Sequence, residues 1–155
     1  MTDSDRTDGR SAYENGQDIR DRTFLFACRV VTFCQGLYEN GGVCRLSVGQ
    51  LIACSSATST MLEEAKAAES EADFISKCCI SLKECRESWT RLRMCEKCRL
   101  GNPHDAKALV QESHELVAII TTIIRNKQSR MRQQNRKVIR AVVVMLMVSQ
   151  FLIHF

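Results

Sequence analysis

Cysteine is the residue type in this chain whose number and spacing could support chemistry. Nine of the 155 residues are cysteine, and Cys78, Cys79 and Cys85 lie together in the stretch SEADFISKCCISLKECRESW at residues 70–89. Cys95 and Cys98 form the one C-x-x-C pair, which is half of the ligand set of a structural zinc site. Thiols clustered in this way can bind a metal, react as thiolates, or pack as small apolar side chains.

Helical periodicity favours packing over a metal site. At about 100° per residue, Cys78 and Cys85 share one stripe, whereas Cys98 points about 160° away from Cys78. The same stripe includes Phe74, Leu82, Trp89 and Leu92. No four thiols of this one helix can surround an ion, so a metal site would need ligands from elsewhere, and the candidates are Cys28, Cys34, Cys44 and Cys54. We predict structural thiols, no metal site and no cofactor, and Cys98 is the thiol most worth testing for reactivity.

Other catalytic patterns are missing from the sequence. It contains no glycine-rich phosphate loop and no nucleophile elbow. Glu112 and His114 are two residues apart and lie on different helix faces, unlike the Glu-x-x-His pairs of di-iron bundles. The histidines (His104, His114 and His154) have no paired spacing. The sequence therefore predicts a protein that is not an enzyme and has no catalytic residues.

Composition indicates an all-α fold. Hydrophobic residues make up 45% of the chain and charged residues 26%, which is the range of globular proteins. One proline and seven glycines supply little turn chemistry, so few long helices are favoured over many short strands. The length suits one domain with tails.

Four helices follow from apolar stripes and helix-end signals. Apolar residues recur at helical spacing from about Asp18 to Tyr38, at Ile19, Phe26, Val30, Cys34 and Leu37, and Asn40-Gly41-Gly42 ends this helix. A second helix is predicted from near Ser47 to about Ala68. Ser70 is predicted to cap a third helix that ends near Arg99.

The fourth helix begins at the clearest junction in the chain. Leu100-Gly101-Asn102-Pro103 provides a glycine stop, an N-cap and a proline at the first helical position. The apolar stripe of this helix is Leu109, Ser113, Leu116, Ile120 and Ile123. We predict an antiparallel up-down-up-down four-helix bundle at residues 18–127, after a disordered leader at 1–17 and before a basic and then apolar extension at 128–155.

The C-terminal part has two readings. Residues 125–140 carry seven bases and no acid, and these bases could follow a phosphate backbone: Arg125, Lys127, Arg130, Arg132, Arg136, Lys137 and Arg140. Residues 141–155 carry no Asp, Glu, Lys or Arg, but a membrane span needs about twenty apolar residues. Membrane association through this tail is the alternative to burial of the tail in an oligomer.

Cysteine usage and the N-terminus suggest a compartment. The cysteine count is odd, and the sequence MTDSDRTDGR shows no signal segment. Reduced thiols and a cytoplasmic location are therefore expected.

The chain resembles the bacterial four helix bundle proteins related to reading frames in 23S rRNA intervening sequences. The matching stretches are DIRDRTFLFACRVV (18–31), LEEAKAAESEADFISKCCISLKECRES (62–88) and ESHELVAIITTIIRN (112–126). The chain departs from the family pattern at Ala53, where relatives have arginine, at Met61, where they have asparagine, and at Ser88-Trp89-Thr90, where they have Tyr-Trp-Leu.

This resemblance implies a cytoplasmic bundle without catalytic residues that assembles as a homopentamer. It also implies distant kinship with the accessory protein of diversity-generating retroelements, which binds a reverse transcriptase and its RNA. Together with the basic segment, it leads us to expect an oligomeric scaffold or nucleic-acid-binding accessory, with structured RNA or an RNA-binding enzyme as partner.

Overall fold

The structure, a computed structural model, describes residues 18–39 and 42–153, except for the side chains of residues 18, 43, 44, 46, 144 and 146–153. It contains four α-helices: α1 (Asp18–Glu39), α2 (Val43–Lys66), α3 (Glu71–Lys97) and α4 (Pro103–Ile153). No strand is present in these ranges. The predicted leader at 1–17 lies outside the described residues.

The four helices form a closed bundle. Each helix contacts the next along the chain, and α1 also contacts α4. The start of α4 lies at the end of α1, where Gly101 packs against Phe33 and Leu37. Farther along α4, Glu112 meets Arg22 near the start of α1. The two helices are therefore antiparallel, and the predicted all-α four-helix bundle is confirmed.

The predicted caps of α3 and α4 are present. The Ser70 hydroxyl accepts a hydrogen bond from the Asp73 amide at 3.1 Å, and the Asp73 carboxylate accepts one from the Glu69 amide at 3.3 Å. Asn102 Oδ1 accepts from the amides of His104 and Asp105 at 2.9 and 3.2 Å. Ser70 and Asn102 thus satisfy amides of the first helical turn that have no partner within the helix, and Asp73 binds the amide of the residue before the cap.

The α2 helix starts about four residues before the predicted Ser47. Its N-cap is Gly42, at φ 55° and ψ −137°, a backbone conformation that glycine adopts readily. Arg45 fixes the turn, since its Nε donates to the Tyr38 carbonyl at 3.0 Å and its guanidinium lies 4.5 Å from the centre of the Tyr38 ring. Gly42 provides no side-chain cap, and the contact of Arg45 with the end of α1 holds the start of α2 in place instead.

Small side chains fill the interface between α2 and α3. On α3 the buried positions follow a 3-4-3-4-3 spacing: Cys78, Ser81, Cys85, Ser88, Leu92 and Cys95. The Ser81 hydroxyl donates to the Thr58 carbonyl on α2 at 2.7 Å, and the Ser88 hydroxyl lies 3.0 Å from Cys54 Sγ. Buried hydroxyls that find partners in this way avoid the cost of desolvation.

The buried face of α3 is therefore rotated from the predicted stripe. Cys78, Cys85 and Leu92 are buried as expected, but Phe74, Leu82 and Trp89 lie at its edge and are only partly buried. The serines at 81 and 88 take the central positions because they can bond across to α2 while allowing the two helices to lie close together. An assignment from the sequence alone gives more weight to large apolar residues than to serine, and it therefore misplaces the centre of the buried face of α3.

The α4 helix extends well beyond the core. Ile124 is its last buried residue, and every residue from 132 to 143 is exposed. No glycine or proline follows Pro103 in this helix, so nothing in its sequence interrupts it before Ile153. At 1.5 Å per residue, residues 128–153 project about 39 Å from the bundle. This segment is called the extension below.

Candidate nucleic-acid interface

All seven predicted phosphate-binding residues lie on α4, at the end of the bundle and along the first half of the extension. Six of them are exposed: Arg125, Arg130, Arg132, Arg136, Lys137 and Arg140. The seventh, Lys127, is half-buried. Its Nζ lies 2.6 Å from Glu71 Oε1 and 5.7 Å from the centre of the Phe74 ring. Lys127 therefore fastens α4 to α3, and six bases face solvent.

Four of the six exposed bases form a line along the helix. Arg125, Arg132, Arg136 and Arg140 are separated by seven, four and four residues, which places them within an arc of about 80°. The line is about 22 Å long at the helical rise. We call it the basic face. No acidic residue occurs between Glu115 and Ile153, so the nearest carboxylate on the same helix is ten residues before Arg125 and too far away to neutralise the basic face.

Like charges on the basic face repel each other. Arg132, Arg136 and Arg140 follow each other at four-residue spacing, and like-charge pairs at this spacing destabilise a helix by about 0.2–0.5 kcal/mol each. Three acidic residues that contact α1 or α4 are already paired with other bases. Glu112 and Glu115 bind Arg22, and Glu71 binds Lys127. A bound polyanion is the chemical partner that would relieve this repulsion.

An aromatic stack lies on the bundle rather than on the basic face. The rings of Trp89 and His114 are 5.1 Å apart, centre to centre, and the Arg93 guanidinium lies 4.9 Å from the centre of the Trp89 ring. These side chains, with Val110 and Gln111, line a shallow surface groove between α3 and α4. The basic face itself carries no aromatic residue, so its chemistry is that of charge and shape rather than base stacking.

The cysteines do not assemble a reactive site among the residues described. No disulfide joins the eight cysteines whose side chains are described. Burial raises the pKa of Cys34 and Cys85 to about 12 and that of Cys78 to about 11, so these thiols stay protonated at neutral pH. Within the same residues, no group of three or more His, Cys, Asp or Glu side chains is arranged to hold a metal ion. Cys28 and Cys98 are the exposed thiols.

The α1 helix carries a second apolar stripe that the sequence reasoning missed. Its buried face contains Ile19, Phe26, Val30, Cys34 and Leu37, as predicted. On the opposite side, an uncharged stripe runs along the exposed surface at 4-3-4-3 spacing. This α1 outer stripe consists of Phe24, Cys28, Val31, Gln35 and Tyr38.

The α1 outer stripe is exposed to solvent in the isolated chain. Phe24 and Tyr38 are 61% and 56% exposed. An apolar strip of this length, uncovered on a bundle surface, is typical of an interaction site. The heptad spacing was visible in the sequence, but one apolar stripe is enough to explain a helix, and only the structure shows which of the two faces the core.

No protein-family model matches the chain, and no curated protein is similar to it. Among solved structures, the chain is similar to a protein of unknown function from the S23 ribosomal protein family of Bacteroides thetaiotaomicron VPI-5482. That match has a TM-score of 0.62 and 25% sequence identity, and it covers 68% of this chain and 97% of the other. The similarity supports relationship to that family. Because the other chain is matched almost entirely, about a third of this chain has no counterpart in it.

The sequence left membrane association through the C-terminal tail as an alternative, and this alternative requires a helix that can cross a bilayer. In the residues that the structure describes, none of the four helices combines the length and the apolar character needed to cross a bilayer.

Proposed function

We propose that this protein is a non-enzymatic, homo-oligomeric four-helix bundle that acts in the cytoplasm as a nucleic-acid-binding accessory or scaffold. Structured RNA, alone or with an RNA-binding enzyme, is the proposed partner, and the ring of five subunits implied by the resemblance is the proposed assembly. The observation that carries the proposal is the basic face. It is a line of exposed arginines on the part of α4 that leaves the bundle, and this part of the helix contains no acidic residue.

Electrostatics supports a polyanion as the ligand. A phosphate backbone that binds along the basic face releases its condensed counterions, which makes affinity strongly salt-dependent. It also removes the repulsion between Arg132, Arg136 and Arg140. Because the basic face lacks aromatic residues, binding is expected to depend on duplex shape and charge, with little sequence preference.

RNA binding is tested with the full chain and a hairpin RNA over a range of salt concentrations. Replacing Arg132, Arg136 and Arg140 together by Gln is expected to weaken binding and to reduce the slope of log K against log salt by about two to three. The matched control replaces Arg29, Arg86 and Lys107 by Gln. These are exposed bases on the bundle, and the net charge changes by the same amount.

The outcome separates a defined surface from general charge attraction. If both triple variants lose affinity equally, the basic face is not the binding site. If the unaltered chain shows no salt-dependent binding at low ionic strength, the nucleic-acid part of the proposal is wrong.

The oligomer part has its own measurement. The α1 outer stripe supports it, because self-association would cover an exposed apolar surface. Light scattering of the purified chain is expected to give a mass several times that of one subunit. A monomer at micromolar concentration would contradict the proposal.

A further inference from the structure

We propose that the extension of one subunit packs its apolar face on the α1 outer stripe of a neighbouring subunit. This inference rests on the proposed oligomer and names the two surfaces that join its subunits. Both surfaces belong to the same chain, both are apolar, and both are exposed when the chain is alone.

The apolar face of the extension has the same spacing as the stripe. Val138, Val142 and Met145 follow a 4-3 pattern and are 57%, 50% and 76% exposed. They lie within an arc of about 60°. A 4-3 spacing is the pattern with which one helix packs along another at a shallow angle. The α1 outer stripe, with its 4-3-4-3 spacing, offers the matching partner surface.

The two surfaces cannot meet within one chain. Because α1 and α4 are antiparallel, α4 leaves the bundle at the end where α1 begins, and the extension points away from the stripe. Folding it back would require a break in α4, and this helix has no glycine or proline after Pro103 at which to break. Contact between the surfaces therefore requires a second copy.

The surfaces also match in charge. From Phe24 to Tyr38 the stripe is about 21 Å long, which is more than enough to receive the roughly 10 Å from Val138 to Met145. Asp21 and Glu39 flank the stripe about 60° round the helix, and neither forms a salt bridge with any described residue. Arg130 and Arg132 lie one on each side of the apolar face of the extension, about 80° round the helix from Val138 and Val142, and the extension carries no acid. Packing in trans would therefore bring opposite charges to the border of the contact.

A contact between two different surfaces of one chain is heterologous. Such contacts close into a ring when the rotation between subunits permits, and otherwise continue as a filament. In this arrangement Arg136, Lys137 and Arg140 lie about 120–220° round the helix from Val142. The bases thus stay on the outside of the contact, where phosphate can reach them.

Cys28 in the centre of the stripe allows a direct test by disulfide trapping. The full chain with Cys98→Ser, which removes the other exposed thiol among the eight described cysteines, receives in turn Val138→Cys, Val142→Cys and Met145→Cys. Mild oxidation with diamide is expected to give covalent oligomers for at least one of the three. Arg140→Cys, on the opposite side of the helix, is the matched control and should give none above background.

Removing Cys28 decides which surface the extension contacts. In the Cys28→Ser background the covalent oligomers should disappear. If they persist as dimers, the extensions pair with each other, and the inference is overturned. If no variant is cross-linked while light scattering still reports an oligomer, the inference also fails, but the proposed oligomer stands.

A second measurement does not depend on added thiols. Val31→Glu on the stripe and Val142→Glu on the extension should each raise the dissociation constant of the oligomer about tenfold or more, because each buries a charge in the contact. Met94→Glu, at a more exposed apolar residue on α3, should leave it unchanged. Circular dichroism of each variant confirms that the bundle is folded. A monomeric unaltered chain would overturn both this inference and the proposed oligomer.

Discussion

The two halves of α4 show one helix in two environments. Before Lys127, its apolar residues are buried against α1 and α3, and Leu109, Leu116 and Ile120 have almost no exposed surface. After Lys127, residues of the same type, such as Val138 and Ile139, are more than half exposed. The backbone is helical in both halves, although only the first half is packed in a core. Because most helical stability comes from packing of an apolar face, we expect the second half to be the less stable one.

The charges differ between the halves as well. In the bundle, each neighbouring pair of helices has a salt bridge, such as Arg20–Glu63 between α1 and α2 and Lys77–Glu64 between α2 and α3. The extension has bases and no acids. The bundle thus pairs charges across each of its helix interfaces, whereas the bases of the extension have no acidic residue in the extension to pair with.

The largest expected effect comes from comparing one apolar-to-alanine substitution in each half of α4. Leu116→Ala, at a fully buried position, is expected to lower the free energy of unfolding by about 2–5 kcal/mol. Ile139→Ala, at an exposed position off the apolar face of the extension, should change it by less than about 0.5 kcal/mol. Urea unfolding followed by circular dichroism measures both. Equal losses would mean that the extension is part of the folding unit.

Proline substitutions probe whether the two halves of α4 unfold together. Ala118→Pro lies on the exposed side of α4 within the bundle, and Gln133→Pro is exposed in the extension. The first should destabilise the bundle by about 3 kcal/mol, because it removes a helical hydrogen bond and adds a clash. The second should leave the urea midpoint of the bundle nearly unchanged. A shift of the midpoint by Gln133→Pro would contradict the comparison.

A charge reversal sharpens the electrostatic difference. Arg136→Glu replaces two repulsive i,i+4 pairs, with Arg132 and Arg140, by two attractive ones. This should stabilise the extension by roughly 0.8–2 kcal/mol at low salt. Hydrogen exchange of amides 130–140 should slow, and the gain should shrink as salt is added. An unchanged exchange rate would show that repulsion does not limit the helix there.

The smallest expected effect is a pH dependence confined to the bundle. Hydrogen bonds from Gln111 and from Arg22 lower the pKa of Glu115 below its unfolded value of 4.5. The contribution of Glu115 to stability is therefore present above about pH 4.5 and is lost as the pH falls below it. Glu115→Gln should flatten the loss of stability between about pH 5 and 3. An unchanged pH profile in this variant would contradict the prediction.

The sequence contained enough to predict most of the bundle. Its caps, Ser70 and Asn102, were readable because side-chain capping depends on neighbours in the chain. Tertiary choices were harder to predict. The start of α2 depends on Arg45 reaching across to Tyr38, and the buried face of α3 depends on Ser81 meeting a carbonyl of α2.

The functional surfaces also differ in how far the sequence could predict them. The bases of the basic face could be predicted from the sequence, because a run of bases without acids is visible without knowledge of any tertiary contact. The structural role of Lys127 could not, since Glu71 lies 56 positions away. The α1 outer stripe was hidden for a different reason: a sequence shows that two faces of a helix are apolar but does not show which one is covered.

The buried thiols have a consequence for the lifetime of the protein. Cys34, Cys78 and Cys85 are closed to solvent and stay protonated, so oxidants reach them only when the bundle opens. Each opening in an oxidising medium risks a disulfide that prevents refolding. Outside a reducing compartment, the half-life of the protein is therefore set by how fast it unfolds rather than by its equilibrium stability. The folded bundle thus protects its buried thiols from oxidation.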